Sequence, residues 1–260
     1  METYDSDLFG KLPAPQRIEE LLEVVQDFSE DRLPVYMWRG QGDIAWSIDS
    51  AAYRKLNQTK KVVTENDLQR YEKDLLERAS HQGFCYENGR RLSDFELLAK
   101  LQHHGAATRL VDCSRNLLVA LWFASSGQKE TTGLLLGCHS DHLGGSESKD
   151  ESRSYTEIVE RIKPREHPQT WQPPSVSPRI SAQHAQFLYS TVCDKEQGSL
   201  WLDSKEKATL YIAITPKFKT YSLNVLREIF DIRGPTLFPD LDGFGMSNSV
   251  SGIDYGGHRW

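Results

Sequence analysis

The sequence predicts an α+β fold in a single domain, with mixed or antiparallel strands and flanking helices. Three observations predict it. The order of patterned segments runs helix, strand, several helices and then mostly strands. A length of 260 residues suits one large domain or two small ones, enough for a real core. A content of 38% hydrophobic and 26% charged residues, with mean hydropathy −0.56, is ordinary for a globular chain.

The elements follow in chain order. From Pro15 the run QRIEELLEVVQDF places Ile18, Leu21, Leu22, Val25 and Phe28 at helical spacing, so an amphipathic helix is expected over one edge of the core. Leu33-Pro34 breaks it, and a strand over 35–39 follows, ending on Arg39 with Gly40 just beyond. Thr64-Glu65-Asn66-Asp67 resembles a capping box and opens a helix to about Ala79. Ser93-Asp94-Phe95-Glu96 is a cleaner box, and its helix carries Phe95, Leu98 and Leu101 on one side and stops near Gly105. Residues 117–124 are apolar nearly all round, which marks a helix buried within the domain. Strands are expected at Gly133–His139, Gln186–Val192 and Ala208–Thr215. The polar stretch DHLGGSESKDESRS reads as a mobile loop, and the chain after Gly243 is rich in glycine and serine and weakly patterned.

Composition also excludes function classes. A net charge of −6 argues against wrapping a nucleic-acid backbone, which wants a basic face, but leaves room for a compact cationic pocket. Cys85, Cys113, Cys138 and Cys193 are widely spaced and form no CxxC pair, so free thiols in a reducing compartment are expected. METYDSDLFG is acidic and lacks the pattern of a secretory signal, and no apolar run approaches the ~20 residues that span a bilayer. A cytoplasmic protein with no membrane partner is the expectation.

The residues suited to chemistry are few. Arg39, Arg109 and Arg179 each sit beside a turn or strand end among apolar residues, where a guanidinium suits bidentate phosphate recognition. Gln102 and His103 precede the helix end at Gly105, within reach of a ligand. Asp112 and Asp242 are candidate partners that hold the arginines, or candidate acids and bases. Each has a plainer reading. Arg39-Gly40 also suits a solvated turn, and His103 also suits a helix cap. Arg109 with Asp112 also suits a buried ion pair, and Gln183 also suits a core residue satisfying backbone groups. PDLDG reads as a turn capped by Asp240, and Cys113 as an inert thiol lacking a placed base.

Four blocks in order carry a resemblance: WRGQGD (38–43), LQHHGAATRLVDCSRNLLVALWFA (101–124), SPRISAQHAQF (177–187) and TLFPDLDG (236–243). Together they resemble the FRG domain family, with Trp38 in the aromatic slot of its aromatic-Arg-Gly motif. The likeness spans roughly 35 to 243. It implies an N-terminal helical extension over 1–30, an FRG domain over 31–243 and a tail over 244–260.

A more distant likeness is to the ADP-ribosyltransferase superfamily, and it implies a split sheet. WRG is similar to the first motif of those enzymes, which implies that Gly40 contacts the nicotinamide and Arg39 the ribose-phosphate part of NAD. LVDCSRNLLVALWFA resembles their second motif, with Asp112-Cys113-Ser114 where Ser-Thr-Ser stands. RISAQHAQFLYS resembles the third, the strand that supplies a catalytic glutamate; here Gln183 fills that slot. A neutral amide holds a ribose hydroxyl but offers no charge to a developing cation, and Asp112 is the candidate to supply it.

The resemblance implies an NAD-utilising enzyme, a toxin or defence effector that modifies a protein or nucleic acid or releases nicotinamide. Arg39, Asp112 and Gln183 are the candidate catalytic residues. Arg39, Gly40, Gln102, His103, Arg109, Ser114 and Arg179 are the candidate NAD-binding set, with no metal. The alternative is a non-catalytic module that binds a nucleotide or a nucleic-acid end in the same pocket.

Overall fold

The structure is a computed structural model that describes residues 1–29, 36–146, 152–162, 164, 167–174, 177–202 and 208–249. The chain opens with a hairpin, β1 (Glu2–Ser6) and β2 (Gly10–Ala14), followed by α1 (Ile18–Ser29). Next come β3 (Tyr36–Gln41), α2 (Ala51–Asn57), α3 (Glu65–His81) and a short ribbon, β4 (Tyr86–Glu87) with β5 (Arg90–Arg91). Then follow α4 (Asp94–His103), β6 (Val111–Ser114) and α5 (Leu117–Ser126). The second half carries β7 (Gly133–His139), β8 (Gly144–Ser146), α6 (Tyr155–Glu160), β9 (Gln169–Trp171), α7 (Pro178–Ala182) and β10 (Ala185–Tyr189). It ends with a pair, β11 (Val192–Lys195) and β12 (Gly198–Leu200), then β13 (Thr209–Ile214), α8 (Pro216–Phe230), α9 (Gly234–Leu237) and α10 (Leu241–Ser247).

The α+β class holds. Seven strands form one mixed sheet in the order β13-β7-β3-β6-β10-β9-β8, antiparallel throughout except for β8 with β9. Among the described residues, no helix is long and apolar enough to cross a membrane. All four cysteines are buried and unbridged.

Local chemistry explains the helices. Thr64 and Ser93 both close true capping boxes, with Asp67 and Glu96 reaching back to the cap amides. Gly105 takes φ +86° just past α4, as a left-handed helix end requires. On α1 the burial shifts from the expected stripe: Ile18, Leu21 and Val24 are buried, whereas Leu22 faces solvent. The 15-residue α8 was missed because its apolar positions are diluted by Lys217, Lys219 and Arg227; Thr215 caps it and Pro216 stands in its first turn. Two loop readings also change. The expected loop at 141–154 contributes the edge strand β8, and the weakly patterned region after Gly243 begins inside α10. Val35, residues 147–151 and 250–260 lie outside the described residues.

The strand period of two sorts the core. On one face of the sheet, Tyr36, Trp38, Leu135 and Ile212 pack with α1, α5 and α8. Farther along that face, Trp171, Phe187 and Tyr189 pack with α3, α4 and α6. The opposite face is one continuous apolar layer: Met37, Val111, Cys113, Leu134 and Leu188 meet Leu12 and Ala14 of the first hairpin and Leu200 of β12.

Between its two halves the sheet is nearly divided. β3 pairs with β7 at six positions but touches β6 at one, Trp38 opposite Ser114. A cleft opens where these strands part. β3 runs on through Gln41, so Gly40 lies inside the strand rather than beyond its end.

Gly40 is where β3 meets α5. A Cβ there would stand 1.9 Å from the Ala120 carbonyl oxygen and 2.5 Å from the Ala124 amide nitrogen. Just past the strand, the buried Lys219 of α8 donates to the carbonyls of Gly42 at 2.6 Å, Gln128 at 2.8 Å and Gly127 at 3.2 Å. This amine ties the end of β3 to the end of α5, and burial lowers its pKa.

A methyl group at position 40 has no relaxed solution against a helix backbone. Gly40→Ala should destabilise by at least the ~1–3 kcal/mol of ordinary overpacking, read by urea denaturation. Gly42→Ala, whose nearest atom would be 3.1 Å away, is the milder comparison.

Candidate functional site

The cleft has a volume of about 390 Å³. Its floor is built by alternation. Trp38 and Gly40 of β3, Asp112 and Ser114 of β6, and Ala185 and Phe187 of β10 all line it. The register accounts for this, since Trp38 pairs with Ser114, and Ser114 and Asp112 pair with Ala185 and Phe187. One wall is the end of α4 with Gln102 and His103, the other is α5 with Ala120 and Phe123. Arg179, Gln183 and Phe238 complete the rim.

Arg39 enters differently. By alternation it leaves β3 on the side opposite Trp38 and Gly40, yet its Nη1 donates to the Asp112 carbonyl at 2.8 Å. The guanidinium bridges the gap where a regular sheet would place ladder bonds between β3 and β6. Its Nε is buried with no hydrogen-bond partner among the described residues.

Asp112 is the carboxylate on the floor. Gln102 Nε2 donates to its Oδ1 at 2.9 Å, and the Thr108 hydroxyl donates to Gln102 Oε1, which fixes the amide's orientation. Solvent reaches Asp112 through the cleft mouth, while the protein crowded around it raises its pKa by dehydration. Arg39 and the Gln102 hydrogen bond oppose that rise. The neighbouring Cys113 points into the apolar layer, and burial pushes its thiol up to about 12, so it is not a nucleophile at neutral pH.

At the rim, Arg179 Nη2 donates to Asp240 Oδ1 at 2.7 Å, and its Cζ lies 5.0 Å from the centroid of Phe238. That hydrogen bond holds Asp240 below the usual carboxylate range. Asp240 also accepts from the Gly243 amide at 2.8 Å, capping the start of α10. His103 Nε2 stands 3.8 Å from Asp240 and 3.9 Å from Asp242. Burial lowers its pKa first, with Arg179 and His104 adding to the effect against the two aspartates.

The expected set therefore converges with one exception. Arg39, Gly40, Gln102, His103, Asp112, Ser114, Arg179 and Gln183 all line the cleft. Arg109 does not. It is buried against α3, where Glu72, fully enclosed, needs a countercharge: Nε donates to Glu72 at 2.6 Å, Nη1 to Glu65 at 3.1 Å and Nη2 to the Tyr155 hydroxyl at 2.7 Å. The Arg109 amide nitrogen also donates to Glu72, at 2.6 Å. The expected pairing of Arg109 with Asp112 does not form; Arg109 is instead buried in an ion pair with Glu72.

Three further corrections follow. Arg179 belongs to the short helix α7 and Gln183 caps its end, so neither lies on the strand that starts at Ala185. Gln183 Nε2 donates to the Leu237 carbonyl at 3.0 Å. Asp240, not Asp242, holds Arg179. Ser114 also has structural work, donating to the Gln183 carbonyl at 2.7 Å and accepting from the Asn116 amide at 2.9 Å.

The wall residues Phe123, Phe187 and Phe238 were not foreseen. Each nonetheless stands in one of the four quoted blocks.

The WRG strand, the α4 end and the Asp112 strand thus surround one cleft, and they fall in a single stretch of chain. Residues 34–133 match the FRG domain. The FRG match runs from β3 to the first residue of β7 and includes Arg39, Gly40, Gln102, His103, Asp112 and Ser114. It stops short of the 35–243 span suggested by the four blocks, so Arg179, Gln183 and Asp240 complete the cleft from outside it. No curated protein and no solved structure matches the chain.

Removing one member of the buried pair leaves a charge stranded. Arg109→Met should cost about 3–5 kcal/mol in denaturant unfolding. Arg179→Ala, whose pair is partly open to solvent, should cost less than Arg109→Met.

Proposed function

We propose that the cleft binds NAD and breaks its nicotinamide–ribose bond, passing ADP-ribose to a macromolecular acceptor or to water. The observation that carries this reading is the ionisable carboxylate of Asp112 on the floor of a cleft shared with the guanidiniums of Arg39 and Arg179. As the C1′–N bond breaks, its electron pair leaves with nicotinamide, and positive charge develops on the ribose. A fixed carboxylate in a partly dehydrated site stabilises that charge. Asp112 is held by Gln102 and so is oriented before the substrate arrives. The acceptor's nucleophile, or water, then bonds to C1′ and gives up its proton. Arg39 and Arg179 are the anchors for the diphosphate. The aromatic walls at Phe123, Phe187 and Phe238 suit a flat ring.

Gln183 favours a second reading. Its amide nitrogen is spent on Leu237, and no charge stands in its slot. A module that binds the nucleotide without turnover fits that arrangement, and Asp112 separates the two.

The test is nicotinamide release from NAD by the purified chain. Asp112→Asn should lower the rate about 100-fold or more, while Arg39→Ala should weaken NAD binding in calorimetry. The rate should fall on the acid side as Asp112 is protonated. Because dehydration raises its pKa, that fall should begin at higher pH than for an ordinary aspartate, and Asp112→Asn should remove the limb. NAD binding without product, in wild type and variant alike, supports the binding module instead. Absence of both binding and turnover overturns both readings.

A further inference from the structure

A second cavity, of about 260 Å³, lies at the far edge of the sheet, where β8 runs parallel to β9. Its wall includes Arg153 and Arg161, which flank α6, with Gln169, Thr170 and Trp171 of β9. No aspartate or glutamate is among its described lining residues. Trp171, on the face that carries α6, has a buried polar atom with no hydrogen-bond partner among the described residues, Nε1. Trp171 is more than nine-tenths buried. A buried donor left unmade costs about 1–3 kcal/mol, and a fold tolerates it where a ligand or water supplies the acceptor.

The backbone is shaped for the same place. Gly145, also on the wall, has φ +99°, and a Cβ there would meet the Thr170 carbonyl oxygen at 2.2 Å. The glycine lets β8 lie close against β9 and so sets the edge of the cavity.

We propose that this cavity is a binding site for a phosphomonoester, separate from the cleft between α4 and α5. Two guanidiniums on one wall suit a multiply charged anion with several acceptor oxygens. The indole N–H of Trp171 on the same face adds a neutral donor. The cavity is larger than a phosphate group needs, so it also takes the organic body that bears the phosphate. Inorganic phosphate and a nucleoside monophosphate share the recognised group, and their comparison shows whether that body contributes.

The experiment is calorimetry on the full chain with inorganic phosphate, AMP and adenosine. Phosphate and AMP should bind, and adenosine should not. In an Arg39→Ala background, which removes an anion anchor of the cleft, Arg161→Ala, at an exposed position, and Trp171→Phe, which keeps an aromatic ring but not the N–H, should each weaken phosphate binding about tenfold or more. AMP tighter than phosphate assigns the body of the ligand to the nucleoside; equal affinities assign recognition to the phosphate alone. The proposal is overturned by phosphate binding that survives Arg161→Ala, by binding lost in Arg39→Ala, or by no binding of either phosphate compound to the unaltered chain.

Discussion

The contact between β3 and α5 at Gly40 sets the rest of the structure. A strand and a helix approach backbone to backbone only where one contributes no side chain and the other only small ones. Gly40 faces Ala120 and Ala124, one turn apart, and Gly133 approaches the Ala124 carbonyl from the next strand. That approach seats α5 low against the β13-β7-β3 half of the sheet. It leaves Phe123 at the height of the strand ends, where it becomes a wall of the cleft. Gly40 therefore has a structural reason to be glycine whether or not a ligand touches it.

Charge is disposed around this contact in two regimes. The enclosed Glu72–Arg109–Tyr155 group is fully satisfied and cements α3 to the start of β6; burial and Glu72 drive the Tyr155 phenol's pKa upward. Charges around the cleft are incompletely matched. Arg39 spends one arm on a carbonyl and leaves Nε without a partner; Asp240 Oδ2 is buried with no hydrogen bond among the described residues. Satisfied ionic groups hold a fold, and unsatisfied ones in a concavity are disposed to bind. The chain keeps both kinds within a few residues of each other on β6 and the segment before it.

How much was legible follows from how local each signal is. Capping boxes are written in four residues, so Thr64 and Ser93 announced their helices, and the apolar run at 117–124 announced a buried α5. The helix α8 and the hairpin β1–β2 carry no such signature; their burial comes from partners far along the chain. The cleft set was readable because its members sit in short distinctive blocks, WRG, QHHG and VDCS. Arg109 stands between two of those blocks and was still misplaced. A single sequence shows that an arginine is flanked by apolar residues, but not that Glu72, a full helix away, points at it from the interior. Asp242 was likewise expected to hold an arginine, and it is Asp240, at the start of α10, that reaches Arg179.

Lys219 carries a last consequence. Its three acceptors are all main-chain carbonyls, so no other side chain can be exchanged to dissolve the knot. Its amine is also enclosed, out of contact with dissolved reagents while the domain is shut. Acylating chemistry that marks surface lysines would reach this one only during synthesis or after opening. A mark at Lys219 would thus record that a molecule had been unfolded at the moment of labelling.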